Sequence, residues 1–591
     1  MITDYRYYRE ILARLQKPVF SIAHNTGFNA SSTPSLEAYM SYGLGSGIHG
    51  KTVSELLCSN ASNRGAGGVS CSNTGLLACT QCSLVKYCSG RCQRQHWSRH
   101  RLVCEHPYLD SGWEPSWIIE NRQPLLKDPT FLPPSNSVEV YKNSGYPPYD
   151  ILQLTCNEGI DSLDDDLKLC MTAAGDIRNL VETVNRLPPG YSGRLDILLN
   201  NNNTILVNRM LVILCVLLSP GPSVEESAEL ATHLMYSASL PETAASYMRY
   251  CTNLIYGECF SEREMSFQAT LRTRGRGKIY SAQPTVSIKR PTEMFSSTYS
   301  LTKALDSRRE VIFDPLHMDD RDRILSGLKP AHRQALNRFW ETGVLAPFSL
   351  DLRTFNCPNK LMFTPRGEWI GLPSDANPLQ GWDVSAVRRA GIRHGLDPAG
   401  DILGCLFFHL KSELREFSSR IQEYNINIHL LQYDSRLLSK GISIGVLPAF
   451  SEAAFDRIDI GDMADQMGVA ECLADWGPLL NRKNSSSCLI MHSKRWYEES
   501  PNSIARNNPR ALKILTERCQ ATPKLEAPAI GESLGLYLRE VHSIHSKRIG
   551  VPLQSGAQKL PNLSKEEFYD LFTIGAADLT IRFAEFGCRL T

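Results

Sequence analysis

The chain has 591 residues, 42% of them hydrophobic and 21% charged, and a formal net charge of +1. That balance fits a globular protein of several domains and excludes a chain that is disordered throughout; it gives no global electrostatic case for nucleic acid or an anionic membrane. The longest apolar run, Met210 to Leu218, is far shorter than the roughly 20 residues a membrane-crossing helix needs.

Residues 1–57 read as an N-terminal extension rich in Ser, Gly, Asn and Tyr, partly disordered. Its first ten residues hold no apolar stretch of the kind a secretory leader carries. The segment 58–104 follows, with the most informative pattern in the chain: Cys79-x2-Cys82-x5-Cys88-x3-Cys92-x7-His100-x3-Cys104. Thiolates and imidazoles at such spacings are zinc ligands, and four of them close a tetrahedral structural site. So short a stretch cannot bury a core of its own, so metal is expected to hold it together. A disulfide framework is set aside, because the spacing is that of metal ligands and no secretory signal accompanies it. His96 falls on the same helical face as Cys92, His100 and Cys104 but is expected to be a solvated helix residue. The basic residues Lys86, Arg91, Arg94, Arg99 and Arg101 read as a solvated face, and direct contact with nucleic acid is not expected.

The pattern resembles the MYND zinc finger. The residues that carry the likeness are the Cys79/Cys82 pair, Tyr87-Cys88-Ser89-Gly90-Arg91-Cys92-Gln93, and Trp97-Ser98-Arg99-His100 followed by Cys104. The resemblance implies two zinc ions with interleaved ligands: Cys79, Cys82, His100 and Cys104 at one, Cys88 and Cys92 at the other. The second pair for that other site departs from the family's tight Cys-x2-Cys. Cys71 stands at the right distance, but three residues before it is Gly68, which cannot ligate. Cys58 is the next candidate, and the echoed triplets Cys58-Ser59-Asn60 and Cys71-Ser72-Asn73 mark the two as a pair; the alternative is a site that is weak or missing. The family's function is docking of short proline-containing peptides, here beside Gln93, Arg94 and Trp97.

Residues 105–149 form a Pro-punctuated connector without long helices. Residues 150–220 read as the first half of an α/β domain. A strand spans 166–171, a small-residue turn runs Ala173-Ala174-Gly175-Asp176, and Ile177, Leu180, Val181 and Val184 mark a helix. A second strand spans 195–199, and an apolar helix runs from about 205 to 218. A β-α-β-α succession implies parallel strands. Residues 221–400 read as a mostly helical insertion, with one helix over 319–343. Residues 401–500 supply the second half, with strands at 426–431, 455–460 and 487–491, and residues 501–591 read as helical, opened by a Ser564/Glu567 capping box.

The fold class is therefore α/β: a two-zinc finger, then a Rossmann-like parallel-sheet domain split by the insertion. It resembles a class I methyltransferase core, which implies a cofactor pocket at Gly175, Asp176 and Asp434. Two departures weaken that pocket. Asn201 stands where a ribose-binding carboxylate is usual, and Gly175 is the one glycine left in the turn, so S-adenosylmethionine is not an expected cofactor. Asp176, Asp434 and Asp462 also read as caps of turns and helices. Residues 166–180 and 191–200 resemble an uncharacterised domain that accompanies MYND fingers in filamentous-fungal proteins and is related to the N-terminal part of a dynein axonemal assembly factor. The segments 404–410, 432–437, 455–459 and 475–481 are similar to the same fungal proteins.

Of the 18 cysteines, those outside the finger are scattered, often in apolar runs, and read as reduced buried thiols, which implies a cytoplasmic or nuclear protein. Two functions compete: a protein-interaction or regulatory factor working through the finger, and a methyltransferase. The lysine methyltransferases that carry a MYND finger would need an Asn-His-Ser-Cys segment, which is missing, and no His-Glu-x-x-His zinc-protease signature is present.

Overall fold

The computed structural model describes residues 56–62, 71–125, 144–220, 222–256, 266–450, 455–494, 531–553, 563–578 and 580–589. The expected character of residues 1–55 lies outside them.

In its described residues the finger has two short pairings, a 3₁₀ turn at Ser59–Ser62 and one α-helix. Leu57 bridges Thr74 in antiparallel fashion, with Cys58 N donating to Asn73 O at 2.8 Å, so the ends of the Ser/Gly/Asn-rich loop meet. Strands β1 (Leu77–Ala78) and β2 (Lys86–Tyr87) pair antiparallel across the turn that carries Cys79 and Cys82. Helix α1 spans Gly90–Cys104. Ser89, in extended conformation, caps it by accepting from Cys92 N.

Among the described residues, nine strands form the main sheet. In chain order they are β3 (Leu167–Met171), β4 (Arg194–Asn200), β6 (Ser266–Arg272), β7 (Lys278–Pro284), β9 (Asn425–Leu431), β10 (Arg457–Asp459), β11 (Cys488–Ser493), β12 (Leu536–Leu538) and β13 (Arg582–Cys588); β5 (Ser239–Leu240) and β8 (Cys357–Pro358) pair apart from it. The sheet order is β12-β13-β11-β10-β3-β4-β9-β7-β6. The six from β11 to β7 run parallel; β13 opposes β11, β12 opposes β13, and β6 opposes β7. The central strands are buried on both faces, as parallel strands covered by helices must be. Alternation divides them between two cores: Leu167, Leu169 and Met171 join one, while Cys170, Leu198 and Ile458 join the other. Helix α2 (Arg178–Asn185), the apolar α3 (Thr204–Leu218) and the long α4 (Ile402–Glu423) belong to the first core; α5 (Ser435–Ser443) and α6 (Val469–Trp476) belong to the second. Nearly all of α3 is buried, which explains why it is apolar all round.

Two expectations need correction, and a third needs an addition. The C-terminal region is mixed rather than helical in its described part: β12 and β13 continue the sheet, and the helix opened by the capping box, Lys565–Phe568, runs on as a π-helix over Tyr569–Ile574. The aromatic-rich run Ile581 to Cys588 is a strand in which Glu585, fully buried, accepts from Ser543 N, Ile544 N and His545 N, each at 2.9 Å. The insertion is mostly helical as expected, but β6 and β7 add a hairpin that extends the sheet beyond β9. Its turn holds Gly277, where a Cβ would sit 1.6 Å from Ile426 O, so no other residue fits there without backbone movement. The helix expected over 319–343 is two, Met318–Gly327 and Pro330–Thr342, because Pro330 disfavours helical geometry at Lys329 before it.

The finger packs into the first core: Leu56, Leu84, Val85 and Tyr87 share a contiguous cluster with Leu396, Ile402 and Leu403. Lys86 Nζ donates to Gly395 O, and a Cβ on Gly400 would lie 2.3 Å from Ser83 O. The chain leaving the finger is clamped as well. Arg333 reaches Tyr108 O (3.0 Å) and Asp110 O (2.7 Å) and stacks on Trp113, and Asp319 holds Arg122.

Candidate metal centre

Two groups of four donors assemble in the finger. Cys79 and Cys82 come from the turn between β1 and β2; His100 and Cys104 come from the last turns of α1. His100 Nε2 lies 3.3 Å from Cys79 Sγ and 3.7 Å from Cys82 Sγ, and Cys79 Sγ lies 3.8 Å from Cys104 Sγ. All four residues are buried. In the second group Cys58 and Cys71 meet Cys88 and Cys92, with Cys71 Sγ 3.6 Å from Cys88 Sγ and Cys88 Sγ 3.5 Å from Cys92 Sγ. Within each group every donor atom lies within 4.8 Å of the others. The donor pairs thus alternate along the chain, first with third and second with fourth.

These separations fit zinc. A tetrahedron with Zn–S bonds of about 2.3 Å has edges of about 3.8 Å. A disulfide would put the sulfurs at about 2.05 Å, and all these cysteines are free thiols. Three thiolates with one imidazole, and four thiolates, are both structural zinc sets, and with four protein ligands neither leaves a position for substrate.

The electrostatics agree. Burial pushes the Cys58 thiol up to about 12 and the Cys82 thiol up to about 11, and raises Cys104 as well. Burial likewise presses His100 down to about 4, so its ring is neutral and ready to ligate. A divalent cation supplies the positive charge these buried thiolates need. Local geometry helps from the other side. Contact with Cys92 and with Ser89 Oγ brings Cys88 down to about 7, beside the N-terminus of α1. The repeated Cys-Ser-Asn triplets share a role too: the backbone N–H groups of Asn60 and Asn73 face the sulfurs of Cys58 and Cys71.

Neighbouring side chains orient the donors. Gln93 Nε2 donates toward Cys79 Sγ at 3.8 Å, Gln81 Nε2 donates to Cys104 O at 3.2 Å, and Asn60 Nδ2 reaches Gln95 Oε1. No motif marked Gln81 in advance, whereas Asn60 belongs to the first of the echoed triplets. His96 is neither a ligand nor a freely solvated residue: it is half-buried, its Nδ1 lies 3.0 Å from Tyr87 Oη, and its ring stacks on His100. Trp97 sets an edge against His100 and keeps 37% of its surface exposed.

The other predicted site residues lie at the carboxyl edge of the sheet, where the chain ties them to itself. Asp176 holds Arg178 at 2.7 Å, and Arg178 also reaches Gly381 O and Ser144 Oγ. Asp434 caps α5 by accepting from Arg436 N and Leu437 N. Gly175 stands in the turn after β3 with open space where a Cβ would point. Asn201 donates to Ala174 O, and Asn200 bridges Thr172 O and Tyr433 O. Between β3 and β10, Tyr149 Oη donates to the buried Asp459 at 3.0 Å, and Tyr146 packs edge-on against His492 at 4.8 Å. Burial raises the Asp459 carboxyl. Two Gly-x-Ser-x-Gly runs, at 441–445 and 531–535, make no nucleophile elbow: Ser443 ends α5 with its hydroxyl on Ser439 O, and Ser533 sits in a helical turn.

Residues 63–104 match the family model of the MYND finger, and residues 144–240 match that of a domain of unknown function, DUF4470. Cys58 stands outside the first match. No curated protein and no solved structure matches the chain. The finger and its two donor clusters make this a zinc-binding MYND-finger region attached to a mixed α/β domain. MYND fingers mediate protein–protein interaction. Among the described residues no helix is long and apolar enough to cross a membrane.

Proposed function

We propose that the chain is a protein-interaction or regulatory factor. In this reading Cys79, Cys82, His100 and Cys104 hold one zinc ion and Cys58, Cys71, Cys88 and Cys92 hold the other. The braced finger then presents the surface around Gln93, Arg94 and Trp97 to partners with proline-containing motifs. The observation that carries it is the pair of closed four-donor clusters, a structural arrangement with no open coordination position. The relation to fungal finger proteins and to a dynein axonemal assembly factor rests on the residues quoted for it and belongs to the same proposal.

The α/β domain is, in this proposal, a methyltransferase-like frame without catalysis. One observation favours the enzyme alternative: the sub-order β9-β4-β3-β10-β11 corresponds to 3-2-1-4-5, the order of dinucleotide-binding sheets, with the insertion between the second and third strands. Ligands of such sheets bind outside the carboxyl ends where the order reverses, here between β3 and β10. Tyr146, Tyr149 and the Arg178 contacts occupy that crevice, which supports the frame reading.

Titrating S-adenosylmethionine into the purified chain, with zinc content measured on the same sample, tests both parts. Two zinc ions per chain and no saturable binding of S-adenosylmethionine are expected. Binding near one equivalent sinks the frame reading; one zinc or none sinks the eight-ligand assignment.

A further inference from the structure

Beyond both family matches, between residues 245 and 360, the structure opens a cleft of about 470 Å³, within the usual size range of small-molecule sites. Helix Glu242–Tyr256 forms one wall, the end of helix Thr285–Ser296 with the loop 297–300 forms another, and Cys357 to Lys360 close the floor. Met248, Phe295 and Pro358 make the lining largely apolar. Two cations face it, Arg249 and Lys360, and none of the lining residues carries a carboxylate.

The two cations are held differently. Lys360 Nζ donates to Phe295 O (2.9 Å) and Ser297 O (2.6 Å), so its position is set by neutral carbonyls that do not cancel its charge. Arg249 is exposed, and among the described residues its guanidinium makes no hydrogen bond or ion pair. Burial, and then the Arg249 charge, lower the affinity of Lys360 for its proton, so the two side chains feel one another. Glu242, on the same helix as Arg249, is felt at Cys357 but is outside the lining. Two like charges beside an apolar wall, one of them immobilised, form a place where an anion relieves repulsion while its apolar part is buried.

We propose that this cleft binds a small organic anion: a phosphate monoester or carboxylate carried on an apolar body, with the anion between Arg249 and Lys360 and the body against Met248 and Phe295.

The test is calorimetric titration of the full-length, zinc-loaded chain with phenyl phosphate, inorganic phosphate and phenol, repeated on Arg249→Glu. Arg249 has no structural partner to lose among the described residues, so the variant is expected to fold, as circular dichroism checks. Saturable binding of phenyl phosphate is expected, at least about tenfold tighter than either phosphate or phenol, and at least about tenfold weaker in Arg249→Glu, the scale of one lost charge-assisted hydrogen bond. Lys360→Met is expected to weaken binding similarly. The proposal is overturned by no saturable binding to the wild type, by equal binding of phosphate or phenol, or by undiminished affinity in a folded Arg249→Glu.

Discussion

In the finger, eight donor atoms from four short segments point inward and come within 4.8 Å of their group. At the carboxyl edge of the sheet the polar residues point at the chain itself: Asn200 and Asn201 stitch strand ends together, Asp434 caps a helix, and Asp176 holds an arginine. Both regions bury polar groups, which is costly unless they are satisfied. The finger's thiols are satisfied by an ion from outside, the sheet edge by its own backbone. The first arrangement is completed by a ligand, and the second by the chain's own groups.

The largest effect expected is loss of the finger on removing a donor. Cys82→Ser or His100→Ala should release the zinc of that cluster and unfold residues 58–104, since structural zinc contributes on the order of 10 kcal/mol. Zinc content and amide exchange report it. The α/β domain should stay folded, with faster exchange confined to the loop around Gly395 to Gly400, on which the finger rests. Global unfolding would erase the contrast between the regions. Cys58→Ser should be narrower: zinc falls from two to one, with the buried Cys79 cluster retained.

Acid separates the regions further. Burial holds His233 and His492 down to about 3 and His332 and His545 down to about 4, all in the α/β domain. Below the ordinary histidine value near 6.5 the unfolded chain binds protons that the folded one refuses, so stability is full above that pH and falls as pH drops toward 4 and 3. The urea midpoint should decline from pH 7 to pH 5 even with excess zinc. His492→Phe should flatten the decline by about one proton, because it removes a buried ring that takes up its proton only near pH 3; among the described residues Nδ1 has no hydrogen-bond partner to lose.

Smaller effects sharpen the comparison. Tyr149→Phe takes one donor from the buried Asp459 carboxyl, which keeps Gly461 N and Asn179 Nδ2, and should cost about 1 kcal/mol in chemical denaturation, without creating affinity for S-adenosylmethionine. Ser89→Ala removes the cap of α1 and should cost about 1 kcal/mol, seen as weaker zinc retention against a chelator rather than as lost stoichiometry.

The legible parts were those governed by local pattern. Strands β3, β4 and β9 and helix α3 follow from runs of apolar residues, and the Ser564/Glu567 capping box forms as its spacing requires. The missed strands have nonlocal causes. Strand β13 is paired by β11 and β12 from far earlier in the chain, and its Glu585 is satisfied by three N–H donors some forty residues away; the β6–β7 hairpin needs Gly277 where the chain passes against Ile426.

By itself the sequence determined that the segment from Cys79 to Cys104 is a metal-ligand array, because ligand type and spacing are local properties of a chain. It left open whether Cys58 belongs with Cys71, and only the tertiary structure brought them together. Their meeting depends on pairing 56–58 with 73–75 across a loop, a closure that no spacing rule specifies. The same holds for the crevice between β3 and β10. Nothing in the sequence joins Tyr149 to Asp459, and their hydrogen bond arises because a parallel sheet brings residues 310 positions apart to one edge.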